Sequence, residues 1–167
     1  MHFDLSYNEL QSPGCIEIAK LLPGREPNQG FRELKRLILV DNNIDDVGVE
    51  PLSKALTHTN CELNSLKLDR NHITAEGVKH LSTALKHINC KLKSLNLWHN
   101  KITDEGVEQL STALTHANCK LNKLNLGSNR ITQKGKELVK LMNIKCQVVF
   151  HDMELLPGKE QSGIFAD

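Results

Sequence analysis

Residues 62–90 read ELNSLKLDRNHITAEGVKHLSTALKHINC, and residues 91–119 repeat that stretch as KLKSLNLWHNKITDEGVEQLSTALTHANC. The two copies are identical at 18 of 29 positions, which chance does not produce. The same skeleton also occupies residues 33–61, begins again at residue 121, and fits the opening FDLSYNELQSPGCIEIAKLL. One link, PGREPNQG at residues 23–30, is longer by about five residues. Repetition at this period predicts a solenoid of stacked repeats.

Each repeat has two halves that differ in hydrophobic period. Leu66 and Leu68 alternate with polar residues, which predicts a short strand with one buried face. Val78, Leu81 and Leu85 follow the spacing of an amphipathic helix. One strand and one helix per repeat, without a hairpin, predict an α/β solenoid. Its parallel sheet is expected to line the concave face and its helices the convex face.

Columns of polar and small residues mark the ends of these elements. The expected helix N-caps are Asp45, Thr74, Thr103 and Thr132. The helix exits, where asparagine is expected to form a left-handed cap, are Asn60, Asn89 and Asn118. The asparagines expected to bond the main chain of their own turn and of the next repeat are Asn42, Asn71, Asn100 and Asn129. The glycines expected where helices pack closely are Gly48, Gly77, Gly106 and Gly135.

The skeleton LxxLxLxxNxIxxxGVxxLxxALxxxNC resembles the leucine-rich repeats of the ribonuclease-inhibitor type. Similar arrays occur in that cytosolic inhibitor, in innate-immune sensors, in GTPase-activating proteins and in effectors that bacteria deliver into host cells. The resemblance covers about residues 1–143. It implies the solenoid fold and, for function, the binding of another protein.

The two ends of the array depart from the repeat. Alternation of Cys146, Val148 and Phe150 predicts a last strand that closes the sheet, so the repeat domain is expected to span residues 1–152. Residues 153–167 are expected to form a loose or lightly docked tail. At the N-terminus the first strand is entered part-way. We therefore expect either a fragment of a longer array or a first edge that a partner covers.

The concave face is the predicted binding surface, because its side chains differ among repeats that otherwise share one skeleton. Equivalent four-residue segments at the strand ends share the buried leucine but differ in their other side chains: ILVD (38–41), KLDR (67–70), NLWH (96–99) and NLGS (125–128). The predicted partner-binding residues are Tyr7, Arg36, Ile38, Val40, Asp41, Lys67, Asp69, Arg70, Asn96, Trp98, His99 and Asn125.

Trp98 is the most informative of these residues. It is the one tryptophan of the chain, and the equivalent positions hold Asp69 and Gly127, so the scaffold does not require an aromatic residue there. An exposed tryptophan flanked by Arg70 and His99 has the composition of an interface hot spot. The alternative is that Trp98 only packs against its concave neighbours. Ile38 and Val40 would form a second apolar spot of the same footprint.

Composition argues against several classes of function. Positive and negative residues nearly cancel, 21 against 20, which disfavours nucleic acid and anionic membranes as partners. We find no apolar run long enough to span a membrane and no classical signal peptide at the N-terminus. Five cysteines, three of them in equivalent repeat positions, indicate buried thiols in a reducing, cytoplasmic compartment.

The sequence offers no catalytic or metal-binding set, so we expect neither an enzyme nor a cofactor. Cys61, Cys90 and Cys119 recur with the repeat, and a nucleophile is needed only once, so they are interpreted as core residues. Equivalent histidines in successive repeats are expected to lie too far apart to share a zinc ion.

Three functional hypotheses remain open. The first is an adaptor or inhibitor that holds a protein partner in the concavity and regulates it, as a bacterial effector acting on another effector would, delivered into host cytosol without a classical signal peptide. The second is a regulator of the GTPase-activating kind, with Arg70 or Arg130 at a repeat edge. The third is the recognition fragment of a cytosolic innate-immune sensor.

Overall fold

Helices and strands alternate along the whole described chain, as the repeat predicts. The computed structural model describes residues 1–23, 33–142 and 145–150. The predicted tail lies outside these residues, as does the longer link apart from Pro23. The elements, in chain order, are β1 (His2–Asp4), α1 (Gln11–Leu21), β2 (Arg36–Ile38), α2 (Asp46–Leu56), β3 (Ser65–Lys67), α3 (Ala75–Leu85), β4 (Ser94–Asn96), α4 (Asp104–Leu114), β5 (Lys123–Asn125), α5 (Gln133–Lys140) and β6 (Gln147–Val149).

The six strands form one parallel sheet in chain order, which confirms the predicted α/β solenoid. Leu37, Leu66, Leu95 and Leu124 pair with one another across neighbouring strands and lie in the core. Strands pair about 4.8 Å apart whereas helices pack at about 8–10 Å. The sheet must therefore line the inner, concave side of the curve.

The expected last strand is present. β6 pairs in parallel with β5, and Cys146 just before it is buried while Val148 is half-buried. None of the helices in the described part of the chain has the length and apolar character needed to cross a membrane.

The asparagine column is a hydrogen-bonded ladder, as predicted. Asn71 Oδ1 accepts hydrogen bonds from the amides of Asn42 and Ile44 in the preceding repeat, at 3.1 and 2.9 Å. Its Nδ2 donates to the carbonyls of Leu39 and Leu68, at 2.9 and 3.0 Å. Asparagine, which carries both an acceptor and two donors, can join two repeats in this way.

The prediction of left-handed caps at the helix exits was wrong. The residues that end α2, α3 and α4 are right-handed, and Asn60, Asn89 and Asn118 are not among the described residues with positive φ. Instead the side-chain amides of Asn89 and Asn118 each donate to a carbonyl one repeat earlier, Thr57 O and Lys86 O, both at 3.1 Å. The column therefore ties repeats together at the helix C-terminal ends.

The helix N-caps show a second tie between repeats. Asp46 Oδ1 accepts from the amides of Thr74 and Gly77 at 2.8 and 2.9 Å, and Oδ2 accepts from Thr74 Oγ1 at 2.6 Å. Asp104 holds Thr132 in the same way. The equivalent residue between them is Ala75, and Thr103 makes no side-chain cap bond.

Ala75→Asp is therefore expected to stabilise the protein by about 1 kcal/mol, since the new carboxylate would reach Thr103 and Gly106 across the α3–α4 junction. Urea unfolding measures the gain. Ala75→Glu is the matched control, because it adds the same charge at the N-terminus of α3 but places the carboxylate one methylene too far. Equal gains from the two variants would show that the helix dipole alone is responsible.

Glu62 forms ion pairs that link the segments preceding β2, β3 and β4. Its carboxylate contacts Lys35 Nζ at 2.8 Å and also binds Lys91 Nζ. Hydrogen bonds from these two ammonium groups lower the pKa of Glu62 to about 2.

A lowered folded-state pKa gives stability that is present above the unfolded value and is lost as pH falls. We therefore expect Glu62→Gln to destabilise the protein at pH 7, by less than about 1 kcal/mol because the group is partly solvated. The difference in melting temperature between wild type and Glu62→Gln should shrink between pH 4.5 and pH 2. A difference that is the same at pH 7 and pH 2 would contradict this assignment.

Candidate functional site

The outward side chains of the strands and of the turns after them form rows across the concave face. The strand register places Ile38, Lys67, Asn96 and Asn125 in one row. Two residues further along lies the central row, which consists of Val40, Asp69, Trp98 and Gly127. The next residue of each repeat belongs to the rim row, which consists of Tyr7, Asp41, Arg70, His99 and Ser128. Arg36 starts β2. All twelve predicted partner-binding residues thus lie on this face or its rim.

Every residue of the rim row has a left-handed backbone, with φ between 51° and 60°. Each immediately precedes an asparagine, which is Asn8 in the first repeat and a member of the ladder in the others, and the chain must turn sharply there for that side chain to reach inward. A left-handed conformation costs a residue other than glycine roughly 1–2 kcal/mol. The sequence does not signal this conformation, because glycine, the residue that usually marks it, is absent from the row.

Trp98 is half-buried, which corrects the expectation of an exposed ring. Arg70 places its guanidinium carbon 5.8 Å from the centre of the indole. The His99 ring lies 5.1 Å from it, tilted by 35°. The two predicted neighbours thus cover part of the ring, and the three side chains form one cluster. Both Arg70 and His99 are exposed.

Asn96 and Asn125 have a backbone role that the sequence did not reveal. Asn96 Oδ1 accepts a hydrogen bond from Trp98 N at 3.0 Å, and Asn125 Oδ1 accepts one from Gly127 N at 3.0 Å. Asp4 makes the equivalent bond to Ser6 N. Asn96 is 8% exposed. Its side chain therefore fixes the turn that carries Trp98 and offers little surface of its own.

The charges around Trp98 are mixed. Asp41 Oδ2 lies 3.5 Å from Arg70 Nε, with both side chains more than two-fifths exposed. Asp69 lies beside Trp98 in the central row, and burial raises the pKa of its carboxyl in spite of nearby Lys67 and Arg70. Arg130, the second arginine considered for GTPase activation, is exposed at the end of the fifth strand–turn segment, where its backbone forms an isolated parallel β-bridge with Thr103.

Ile38 and Val40 are half-buried on β2 and the residues after it. Val40 shares the central row with Trp98 and lies two strands away, or about 10 Å at ordinary strand spacing. Tyr7, at 71% exposure, extends the rim beyond them. The predicted surface thus has apolar side chains at one end, around Val40, and Trp98 at the other, with the polar Lys67 and Asp69 between them.

The cysteines lie on the core side of the repeats. Cys61 and Cys90 are buried, and burial raises the pKa of both thiols. Burial also raises the pKa of Cys15 and of Cys146 to about 12. All five cysteines are unpaired. Within residues 1–23, 33–142 and 145–150, no three side chains of the metal-ligating types are grouped as an ion would require.

Comparison with known families agrees with this architecture. The family model described as Leucine Rich repeat matches residues 1–19, 32–53, 59–82, 89–111 and 117–137, well over half of the chain. Each matched segment contains one strand and at least the first part of the helix that follows it. No curated protein matches the chain.

Proposed function

We propose, from the fact that this chain belongs to the leucine-rich-repeat family, that it is a protein-interaction module whose concave face binds another protein. In this proposal the chain does not itself catalyse a reaction. The observation that carries it is the cluster of Trp98, Arg70 and His99 on the concave face.

The cluster has the chemistry of a binding hot spot. Tryptophan and arginine dominate the energetics of protein interfaces because they bury large surfaces and also form directional contacts. Arg70 and His99 lie against the Trp98 ring, so one patch combines an aromatic surface with a cationic group and an imidazole. The scaffold itself does not explain Trp98, since Gly127 occupies the equivalent position one repeat later.

We further propose that the repeats are of the ribonuclease-inhibitor type and that binding inhibits or regulates an enzyme. The 29-residue period and the 11-residue helices of the middle repeats support the first point. Regulation of one bacterial effector by another is a biological setting that fits the second. The unpaired, buried thiols support placement in a reducing cytoplasm.

Affinity capture of partners from cell lysates tests the proposal, with the full chain compared with a Trp98→Ala, Arg70→Glu double variant. We expect the double variant to weaken partner binding by at least about a hundredfold, the loss of a strong hot spot. A Val47→Ala, Lys79→Glu variant is the matched control. It makes the same kinds of change at exposed positions on helices α2 and α3.

The two variants discriminate between surfaces. A partner lost with the concave variant and retained by the helical variant supports the proposal. A partner retained by the concave variant and lost with the helical variant would place the binding surface on the convex side and overturn it. Circular dichroism of both variants confirms that any loss is not due to unfolding.

A further inference from the structure

Asp69 and Trp98 share a structural peculiarity. They are neighbours in the central row, because the register of β3 with β4 pairs Lys67 with Asn96 two residues earlier. Asp69 Oδ1 and Trp98 Nε1 are both buried, and neither has a hydrogen-bond partner among the described residues. Buried polar atoms are nearly always paired, so two adjacent exceptions require an explanation.

The fold does not need these polar groups. The central row holds Val40 one repeat earlier and Gly127 one repeat later, and the strand pairing is the same in all of them. An aliphatic residue in place of Asp69 would avoid the unfavourable burial of a carboxyl. Sites where a sequence departs from what favours stability are often functional sites.

The two atoms are complementary in kind. Asp69 Oδ1 is an acceptor, and the indole Nε1–H is a donor only. A single neutral group that both donates and accepts can satisfy the two together. Among protein side chains that do not titrate near pH 7, the carboxamides of Asn and Gln and the hydroxyls of Ser, Thr and Tyr have this property.

We propose that the partner segment bound at Trp98 presents a carboxamide or hydroxyl that accepts a hydrogen bond from Trp98 Nε1 and donates one to Asp69 Oδ1. This inference rests on the proposed function, since it assumes that the concave face binds a protein.

The geometry of the cluster provides access. In the free protein both atoms are covered, but the side chains that flank the indole, Arg70 and His99, are exposed. The contact between Arg70 and Asp41 is long, at 3.5 Å. The inference requires the partner segment to displace these surface side chains from the indole edge, and rotamer changes of this kind are common at interfaces.

The first arm of the test measures the thermal stability of the whole 167-residue chain without a partner. Asp69→Val, which copies the residue of the preceding repeat, is expected to raise the melting temperature, because it removes the buried Oδ1 atom that has no hydrogen-bond partner among the described residues. Asp41→Asn is the control, since it neutralises a solvent-exposed carboxylate of the adjacent row with a residue that tolerates the left-handed backbone there. A melting temperature lowered by Asp69→Val would show that the carboxyl has a partner in the fold and would overturn the inference.

The second arm measures recognition, with a displayed library of random linear peptides as the probe. Peptides selected on the wild-type chain are expected to share Asn, Gln, Ser, Thr or Tyr at one position. Its replacement by alanine should weaken binding about fivefold or more, as should Trp98→Phe, which keeps an aromatic ring but removes Nε1–H. Because the alanine replacement already removes the hydrogen bond to Trp98 Nε1 together with the one to Asp69 Oδ1, adding Trp98→Phe should weaken binding no further than the alanine replacement alone.

The outcomes separate this inference from the proposed function. If Trp98→Ala abolishes peptide binding while Trp98→Phe binds as the wild type does, the concave site stands and the hydrogen-bonding inference fails. Strictly additive effects of the peptide and protein changes would also overturn it. If no peptide is enriched, or if peptides bind the Trp98→Ala, Arg70→Glu variant unchanged, the proposed function and this inference both fail.

Discussion

Asn100→Ala is expected to lower the free energy of unfolding by about 3 kcal/mol, although it removes only a small polar side chain. Asn100 Oδ1 is the acceptor for the Ile73 amide at 3.0 Å, and Nδ2 donates to the carbonyls of Leu68, Leu97 and Trp98 at 2.9–3.3 Å. Alanine would leave the Ile73 amide without that acceptor in the core. It would also loosen two neighbouring repeats at once.

Asn122→Ala is the matched control, since Asn122 is an exposed asparagine of the neighbouring repeat outside the ladder. It should change stability by less than about 0.5 kcal/mol. Urea unfolding of the two variants measures the difference. Similar values for Asn100→Ala and Asn122→Ala would mean that the ladder does not hold the repeats together.

Gly77→Ala is expected to destabilise the protein by about 2 kcal/mol, because its methyl group has no room. A Cβ at Gly77 would lie 2.4 Å from Asp46 Oδ1 and 2.9 Å from Ile73 Cγ2. Asp46 Oδ1 is also the atom that accepts from the Thr74 and Gly77 amides. The methyl group therefore displaces the carboxylate that caps α3, and the loss exceeds the gain of about 1 kcal/mol that alanine gives a helix.

The same substitution one repeat later supplies the comparison. A Cβ at Gly106 would meet Ile102 Cγ2 at 2.6 Å, but its next neighbours, Ala75 Cα and Val78 Cγ2, lie at 3.5 and 3.7 Å. No carboxylate is in the way, so Gly106→Ala should cost about 1 kcal/mol less than Gly77→Ala. Thermal unfolding of both variants decides this, and equal losses would exclude the Asp46 contact as the cause.

The fold was predictable because the repeat specifies it at several levels that agree. Alternation around Leu66 and Leu68 predicted β3 and its buried face, and the spacing of Val78, Leu81 and Leu85 predicted α3. The same strand and helix pattern then recurs in the other repeats. The roles of Asn71 and Gly77 also followed from their positions, because a buried amide after a strand and a glycine in a first helical turn have few alternative explanations.

Contacts that join one repeat to the next were harder to predict. The carboxylate of Asp46 caps the helix of the following repeat rather than its own, and Asn89 reaches back to Thr57. A single repeat contains no signal for either bond, since the two partners are 28 and 32 residues apart. The left-handed backbone of the rim row was missed for a related reason. The turn is imposed by the ladder, not by the local sequence.

The candidate site was predictable in position but not in detail. Variation among otherwise equal repeats indicated the concave side chains, and the singularity of Trp98 indicated its centre. Its partial burial depends on how Arg70 and His99 fold over the ring, and the turn bond of Asn96 depends on the local backbone. Side-chain conformations of this kind are set by neighbouring repeats, so the linear pattern does not contain them.

The most direct test of a concave binding site uses the fact that Trp98 is the only tryptophan of the chain. The 167-residue chain labelled with 5-fluorotryptophan should give one protein resonance in a ¹⁹F NMR spectrum. On titration with a captured partner, we expect that resonance to shift or broaden and to saturate at the same ratio as binding measured by calorimetry. A resonance that stays unchanged while the partner is fully bound would contradict the account.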